Sequence, residues 1–396
     1  METPCSAVSA SLVNDRGLGR ITQRSLRTIV CDNRLDSFRI LHEYPLDSAV
    51  SCMDIDRETN AFLLCGAVSG RIYLSNLYHS EYYGPNQKEK SILPGTFYHT
   101  HFVSGCQWYH DIRLFVTAST SGELLAWDLT SLRVLESYEI CESGKWSPQL
   151  HWNEIDKTNP LIAVTNGTNR IPLYDLRVGD MAQTLRSKEA AIIRAVRWLP
   201  SKHHILFSGN DTGVVARWDV RSNREALSSI DLKKGVGIAG MRLTSGGKHL
   251  VVVFANSAVV LFDAVTMDVL AEYKPPLPRR LRTTLCPLGH FAICDEGTAI
   301  RVALPLKDDI DWIRFSKGFR QEPRVSICST LSGHLSHVNA CVYRVGSQQL
   351  YTAGSDRNVL CWAPESERHR LQLEAETVKQ SVLTNDWSDD DWQSYN

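Results

Sequence analysis

The stretch ILFSGNDTGVVARWD, Ile205–Asp219, decides the fold. An apolar run ends in Asn210-Asp211-Thr212-Gly213, residues suited to a tight turn, and a second apolar run leads to Trp218 and Asp219. Two β-type runs joined by turn chemistry read as a hairpin. The same pattern returns in LLCGAVSGRIYLSNL (63–77), LFVTASTSGELLAWD (114–128), LVVVFANSAVVLFD (250–263) and LYTAGSDRNVLCWA (350–363). Closing positions fall at Asn76, Asp128, Asp175, Asp219, Asp263, about Ala303 and Ala363, which predicts seven units. Earlier strand candidates such as SGCQWY, IRAVRWL and NACVYR precede the hairpins, and LRVLESYEI lies between two units. Four short strands per period of about 40 to 45 residues is the signature of a propeller. The expectation is an all-β, seven-bladed β-propeller over 38–363. A ring needs its last blade completed from the other chain end, since an open edge exposes unpaired backbone groups. FRILHEY, Phe38–Tyr44, is the candidate for that strand.

Composition agrees with a packed globular chain: 396 residues, 43% hydrophobic, 22% charged, formal net charge -1. Affinity for DNA irrespective of sequence comes from clustered Lys and Arg, so near-neutrality argues against direct DNA binding. The longest apolar run, Leu250–Phe254, is far too short to span a membrane, which predicts an intracellular protein without a membrane partner. Eleven cysteines show no CxxC pair, and Cys106, Cys294, Cys341 and Cys361 lie in strand-like runs. They read as reduced core residues.

Motifs for catalysis or cofactors are weak. GVGIAG, Gly235–Gly240, matches a dinucleotide fingerprint, yet the following MRLTSGGKHLVVVF is strand-rich where that fingerprint needs a helix. His99 and His101 share one side of an extended segment but lack a third ligand. No nucleophile, base and oxyanion hole come together. The expectation is therefore a non-catalytic protein without cofactor or metal.

Strand ends carry more information. In VVARWDVRSNRE, Val214–Glu225, an alternating apolar run breaks into Asp219, Arg221 and Arg224. Alternate side chains of an extended chain share a side, so Asp219 can hold the Arg221 guanidinium. The preceding unit repeats this in YDLR, with Asp175 and Arg177. Adjacent blades would set these two arginines side by side on one rim.

The segment LSGHLSHVNACVYRVGSQQLYTAGSDRNVLCW, Leu331–Trp362, resembles a complete WD repeat; the other units are degenerate. The resemblance implies a buried structural hydrogen-bond chain of His334, Asp356, Thr352 and Trp362. Trp127 with Thr117, and Trp218 with Ser208, stand without an opening Gly-His. With its Trp-Asp-x-Arg element, the chain resembles the WD-repeat substrate receptors of cullin-4 ubiquitin ligases that serve transcription-coupled nucleotide excision repair. That resemblance covers nearly the whole chain and is weakest over 264–323. It implies a nuclear substrate receptor docking, through Asp175, Arg177, Asp219 and Arg221, on the damaged-DNA-binding adaptor of a ligase with cullin-4 and RING subunits. Further implied partners are a repair ATPase of the Cockayne syndrome group B type and the stalled RNA polymerase II complex. A WD-repeat scaffold for a chromatin or signalling complex is the alternative.

Two segments fall outside the expected ring. Within 1–37, Leu18, Ile21, Leu26 and Ile29 lie among Arg16, Arg20, Arg24 and Arg27 in an amphipathic helical pattern, which packs on the ring or docks on the adaptor. Within 364–396, SERHRLQLEAETVKQSVL suits a short helix, and LTNDWSDDDWQSYN has too little apolar surface to hold itself down. Ser388, followed by Asp389, Asp390 and Asp391, is a candidate phosphorylation site for an acidophilic kinase.

Overall fold

The computed structural model describes the chain between residues 38 and 365, apart from segments 78–97, 110–112, 132, 154–160, 223–224, 232–234, 244–246, 257, 274–281, 286–290, 304–325 and 345–346. The expected helix with Leu18, Ile21, Leu26 and Ile29, and the tail with Ser388, lie outside the described residues.

Every named element is a β-strand. β1 (Phe38–Pro45) is followed by a sheet of β2 (Val50–Ile55), β3 (Phe62–Ala67) and β4 (Ile72–Asn76). The next sheet holds β5 (Val103–Trp108), β6 (Leu114–Ser119), β7 (Glu123–Asp128) and β8 (Arg133–Glu139). Then come β9 (Leu150–Trp152), β10 (Leu161–Val164), β11 (Arg170–Asp175) and β12 (Asp180–Arg186). The fourth sheet is β13 (Ile193–Trp198), β14 (Ile205–Asn210), β15 (Val214–Asp219) and β16 (Ala226–Asp231). The fifth is β17 (Ile238–Leu243), β18 (His249–Phe254), β19 (Val259–Asp263) and β20 (Val269–Tyr273). The last strands are β21 (Arg282–Leu285), β22 (Phe291–Ala303), β23 (Ser326–Arg344), β24 (Gln349–Gly354) and β25 (Asn358–Pro364), and with β1 they form one six-stranded sheet.

The described strands thus make a six-bladed propeller, which corrects the expected seven. The physical reason is β23. Its first part pairs with β22, from Ala303↔Ser326 to Glu296↔His337, and its last part pairs with β24, from Val338↔Gly354 to Arg344↔Gln349. One continuous 19-residue strand therefore fuses the last two expected units into a single sheet. At the outer end of that sheet, β1 pairs antiparallel with β25 from Phe38↔Pro364 to Pro45↔Asn358.

Burial follows position within each sheet. β14 and β18 are buried along their whole length, whereas the outermost β16 alternates between half-buried and exposed. That alternation is the pattern of a strand with one wet face. The core lies between sheets: Ile171, Leu173 and Leu185 of the third pack with Val196, Trp198, Leu206 and Trp218 of the fourth. Gly122 shows what the hairpin turns require. Its φ is +87°, and a Cβ there would overlap the carbonyl oxygen of Cys141.

Two features recur at matching positions although the sequences differ. The pairing register shifts between Val50 and Cys52, Val103 and Gly105, Ile193 and Ala195, Ile238 and Gly240, and Val338 and Ala340. Such a shift bends the strand and increases its twist. The second feature is a series of polar clasps between neighbouring first strands. Asp54 Oδ2 accepts the Trp108 N–H at 2.8 Å, Gln107 Oε1 the Trp152 N–H at 2.8 Å, and His151 Nδ1 the Trp198 N–H at 3.1 Å. Arg197 Nε continues the series by donating to Met241 O at 3.0 Å. The ends of the ring are clasped too. Asn339 Nδ2 donates to Val50 O at 2.9 Å, and the buried Arg344 donates from Nε to Asn60 O at 2.7 Å.

Candidate functional site: a rim of clamped arginines

Each third strand of the second to fifth sheets ends in an aspartate: Asp128, Asp175, Asp219 and Asp263. All four turn a carboxylate onto the backbone of the following loop. Asp128 accepts the N–H groups of Thr130 at 2.9 Å and Ser131 at 3.1 Å; Asp263 accepts those of Val265 at 2.8 Å and Thr266 at 3.1 Å. This is local turn chemistry, which short acidic side chains perform wherever a strand must stop.

Asp175 and Asp219 do more. Asp175 Oδ1 accepts the Arg177 backbone N–H at 2.9 Å and Nε–H at 3.2 Å, while Oδ2 accepts from NH2 at 2.8 Å. The Asp219–Arg221 unit repeats this with 2.9, 3.1 and 2.9 Å. Both carboxylates are largely covered, with side chains 7% and 14% exposed, while Arg177 and Arg221 are 52% and 62% exposed. Fork-to-fork bonding fixes the plane of each guanidinium. The hydrogen bond from Arg177 holds the Asp175 carboxyl below its usual range, and that from Arg221 brings Asp219 down to about 2. Both clamps therefore stay ionised throughout the physiological range.

The turn is made without an arginine in the second and fifth sheets, so Arg177 and Arg221 are not what ends the strand. They are additions to a shared cap, at the same place in two neighbouring sheets. Next to Arg221 lies His204, whose backbone carbonyl accepts the Val220 N–H at 3.0 Å. Burial, then the Arg221 charge, lowers its pKa, and its ring packs edge-on to His203 at 5.1 Å. Sequence reasoning passed over this pair because two histidines in SKHHIL look like an ordinary loop.

The second group of singled-out residues lies inside the last sheet. Trp362 Nε1–H donates to Thr352 Oγ1 at 2.8 Å, and Thr352 Oγ1 lies 2.8 Å from His334 Nε2. His334 Nδ1 is 2.9 Å from Asp356 Oδ2, which also accepts the Leu335 N–H at 3.0 Å. The directions are consistent: indole to hydroxyl, hydroxyl to imidazole, imidazole to carboxylate. All four residues are thus joined, and both His334 and Asp356 side chains are buried.

A matching chain that sequence reasoning missed runs through the second sheet. Trp127 Nε1–H donates to Thr117 Oγ1 at 2.8 Å, which lies 2.7 Å from His99 Nε2. His99 Nδ1 is 3.7 Å from Glu123 Oε2. Burial pushes the His99 imidazole down to about 4 against the opposing pull of Glu123, so it is neutral near pH 7. The signal was spacing. His and Thr are 18 residues apart and Thr and Trp 10 apart in both chains, but His99 lacks the preceding glycine of Gly333-His334. In the fourth sheet Trp218 Nε1–H donates to Ser208 Oγ at 2.8 Å, the part of the chain seen there among the described residues. Among the described residues no group of three or more His, Cys, Asp or Glu is placed to hold a metal ion.

Comparison with known proteins agrees with this architecture. Residues 326–363 match the WD domain, G-beta repeat family. Over 95% of its length the chain is similar to the WD repeat-containing protein ATCSA-1 of Arabidopsis thaliana, at 22% identity and covering 99% of that protein. Similarity to eukaryotic translation initiation factor 3 subunit I is confined to 46% of the chain. It reaches 31% identity with the Drosophila grimshawi protein and 24% with that of Drosophila pseudoobscura pseudoobscura, covering 57% and 55% of those proteins. The chain thus carries a WD repeat, with its indole-hydroxyl-imidazole-carboxylate chain, in the last sheet of a β-propeller.

Proposed function

We propose that this chain is the substrate-recognition subunit of a nuclear cullin-4 RING ubiquitin ligase, of the Cockayne syndrome group A type, acting in transcription-coupled nucleotide excision repair. The observation that carries the reading is the pair of clamped arginines, Arg177 and Arg221, at matching strand ends of neighbouring sheets. In this reading they donate to carbonyl or carboxylate acceptors on the damaged-DNA-binding adaptor, and the propeller contributes no chemistry of its own. Ubiquitin transfer belongs to the cullin-4 and RING subunits. The segment carrying Leu18, Ile21, Leu26 and Ile29 supplies a second, apolar contact with the adaptor. The repair ATPase of the Cockayne syndrome group B type and stalled RNA polymerase II are what the receptor brings to the ligase. Similarity to the Arabidopsis WD-repeat protein along almost the whole chain supports the reading.

The test is to change both arginines, Arg177→Glu and Arg221→Glu, and recover the full chain from cells. Removing a desolvated, hydrogen-bonded interface arginine costs about 2 to 5 kcal/mol, whereas an exposed rim charge is worth under about 1 kcal/mol. The double variant is expected to keep its melting midpoint and far-ultraviolet spectrum while losing adaptor and cullin-4 from the purified material. Recovery at the wild-type level would overturn the reading. A WD-repeat scaffold outside the ligase, in keeping with the half-chain similarity to initiation factor 3 subunit I, would then be the better account.

A further inference from the structure

In the second to fifth sheets the aspartate that ends the third strand also fixes the residue two places beyond it. Its Oδ1 accepts the backbone N–H of Thr130 at 2.9 Å, Arg177 at 2.9 Å, Arg221 at 2.9 Å and Val265 at 2.8 Å. Four consecutive sheets therefore present one equivalent position each, and in the fifth sheet Val265 stands where the third and fourth carry a clamped arginine. One residue further on the series reads Ser131, Val178, Ser222 and Thr266. The two apolar members of these series both face solvent, Val178 being 71% and Val265 59% exposed. The turn itself does not call for valine, since the other sheets build it with serine and threonine.

Both valines are held outward by what surrounds them. Ala264 and Met267, on either side of Val265 and Thr266, are buried in the core shared by the fourth and fifth sheets. The Met267 N–H donates to Asp263 O at 2.8 Å. Met267 has φ +69°, the left-handed conformation that Gly179, φ +71°, takes at the same place in the third sheet. That conformation is unfavourable for a residue with a Cβ, and burial of the methionine side chain offsets it. From β15 the Arg217 guanidinium donates to the Val265 carbonyl, which ties this turn to the strand that ends in the Asp219–Arg221 clamp. In the third sheet the N–H groups of Val178 and Gly179 donate to Asp175 O at 3.2 and 3.0 Å. With the backbone anchored on both sides, neither valine can swing into the core without breaking these bonds. An apolar side chain on a turn so fixed loses little freedom when a partner covers it.

We propose that the rim of clamped arginines continues into the fifth sheet as one protein-binding surface, on which Val178 and Val265 are the apolar contacts. The occupant is the adaptor, so the inference rests on the ligase reading and states what the adaptor must present: acceptors for the two guanidiniums, with apolar side chains beside them opposite the third and fifth sheets. Thr130 and Ser131 in the second sheet mark where the apolar contact stops. The two kinds of contact divide the work. Charge-assisted bonds from Arg177 and Arg221 set orientation and weaken with salt, whereas covering the valines adds affinity that salt does not screen.

Surface plasmon measurement of the full chain binding to immobilised adaptor, at low and at high salt, tests the proposal. The variant carrying Val178→Ser and Val265→Ser is expected to keep its melting midpoint and to bind at least about tenfold more weakly, by the same factor at both salt concentrations. Should Val265→Ser lower the melting midpoint, Val265→Thr, with the residue type that the second sheet uses at this place, is measured instead. Unchanged affinity in the valine variant, beside a loss in the variant carrying Arg177→Glu and Arg221→Glu, would overturn this inference and leave the ligase reading standing. A valine effect that vanishes at high salt would also overturn it, because it would report charge rather than apolar contact. A wild-type chain that does not bind the adaptor would overturn both.

Discussion

His99 is neutral because the fold surrounds it, and this gives it a defined effect on stability. Its ordinary pKa is 6.5 and its folded value is about 4. Between those values the unfolded chain binds a proton that the folded chain refuses. Stability therefore rises with pH through this window: it is lost as pH falls from about 6.5 to about 4, and no more is lost below that. The full difference is on the order of 3 kcal/mol. Denaturant midpoints of the wild-type chain and His99→Gln, compared between pH 7 and pH 4, should converge as the pH falls. Parallel curves would show that His99 titrates normally. The residue also marks a limit of reading by motif. His334 announces itself through Gly333 and the later Asp356, whereas His99 is preceded by Tyr98 and followed by Glu123 in place of an aspartate. Only the spacing to Thr117 and Trp127 betrays it, and that spacing gains meaning once both hydroxyls are seen to bridge a ring nitrogen and an indole.

At the level of the element, the hydroxyl of Thr352 holds β24 to β25 and to the mid-strand His334 of β23. Thr352→Val keeps the shape of the side chain but leaves the Trp362 N–H and His334 Nε2 without their partner in a buried site. Each buried polar group so orphaned costs about 1 to 3 kcal/mol, so the expected loss is about 2 to 5 kcal/mol in denaturant unfolding. A loss under about 1 kcal/mol would mean that water or a side-chain shift replaces the hydroxyl. The hairpins themselves were legible in the sequence, because apolar runs and turn residues report local structure directly. β23 was not. SGHLSH, Ser332–His337, looks like a turn, with a glycine, two serines and two histidines, yet it lies within a continuous strand. Gly333 is there for contact: a Cβ would come within 2.9 Å of Ile40 Cδ1 and 3.0 Å of the Trp362 ring. The clamped arginines were legible for the opposite reason, since an Asp-x-Arg spacing in an extended chain already brings the two charges together.

For the molecule as a whole, counting repeat closures in the sequence yields seven units, while hydrogen bonding yields six sheets. Periodicity records how often a hairpin ends, and it cannot register a strand that passes from one partner to the next without a turn. The clasps between sheets were hidden for a related reason: Asp54, Gln107, His151 and Arg197 share a role but not a residue type. Closure depends on β1, whose removal would bare the edge of β25 and uncover Leu331, Leu360 and Trp362, against which Phe38 and Ile40 pack. A chain lacking residues 38–45 is expected to lose its single sharp melting transition and to elute as aggregate in size-exclusion chromatography; a monomer with an unchanged transition would show that the ring stays closed without it. The pairing of β1 with β25 also has a consequence in time. Tyr44 bonds across to Val359, and at about 5 to 20 residues per second a ribosome needs on the order of 15 to 60 seconds to make the roughly 300 residues between them. Throughout that interval the first strand exists without the strand it pairs with, so the last sheet can be completed only after the end of β25 has been made.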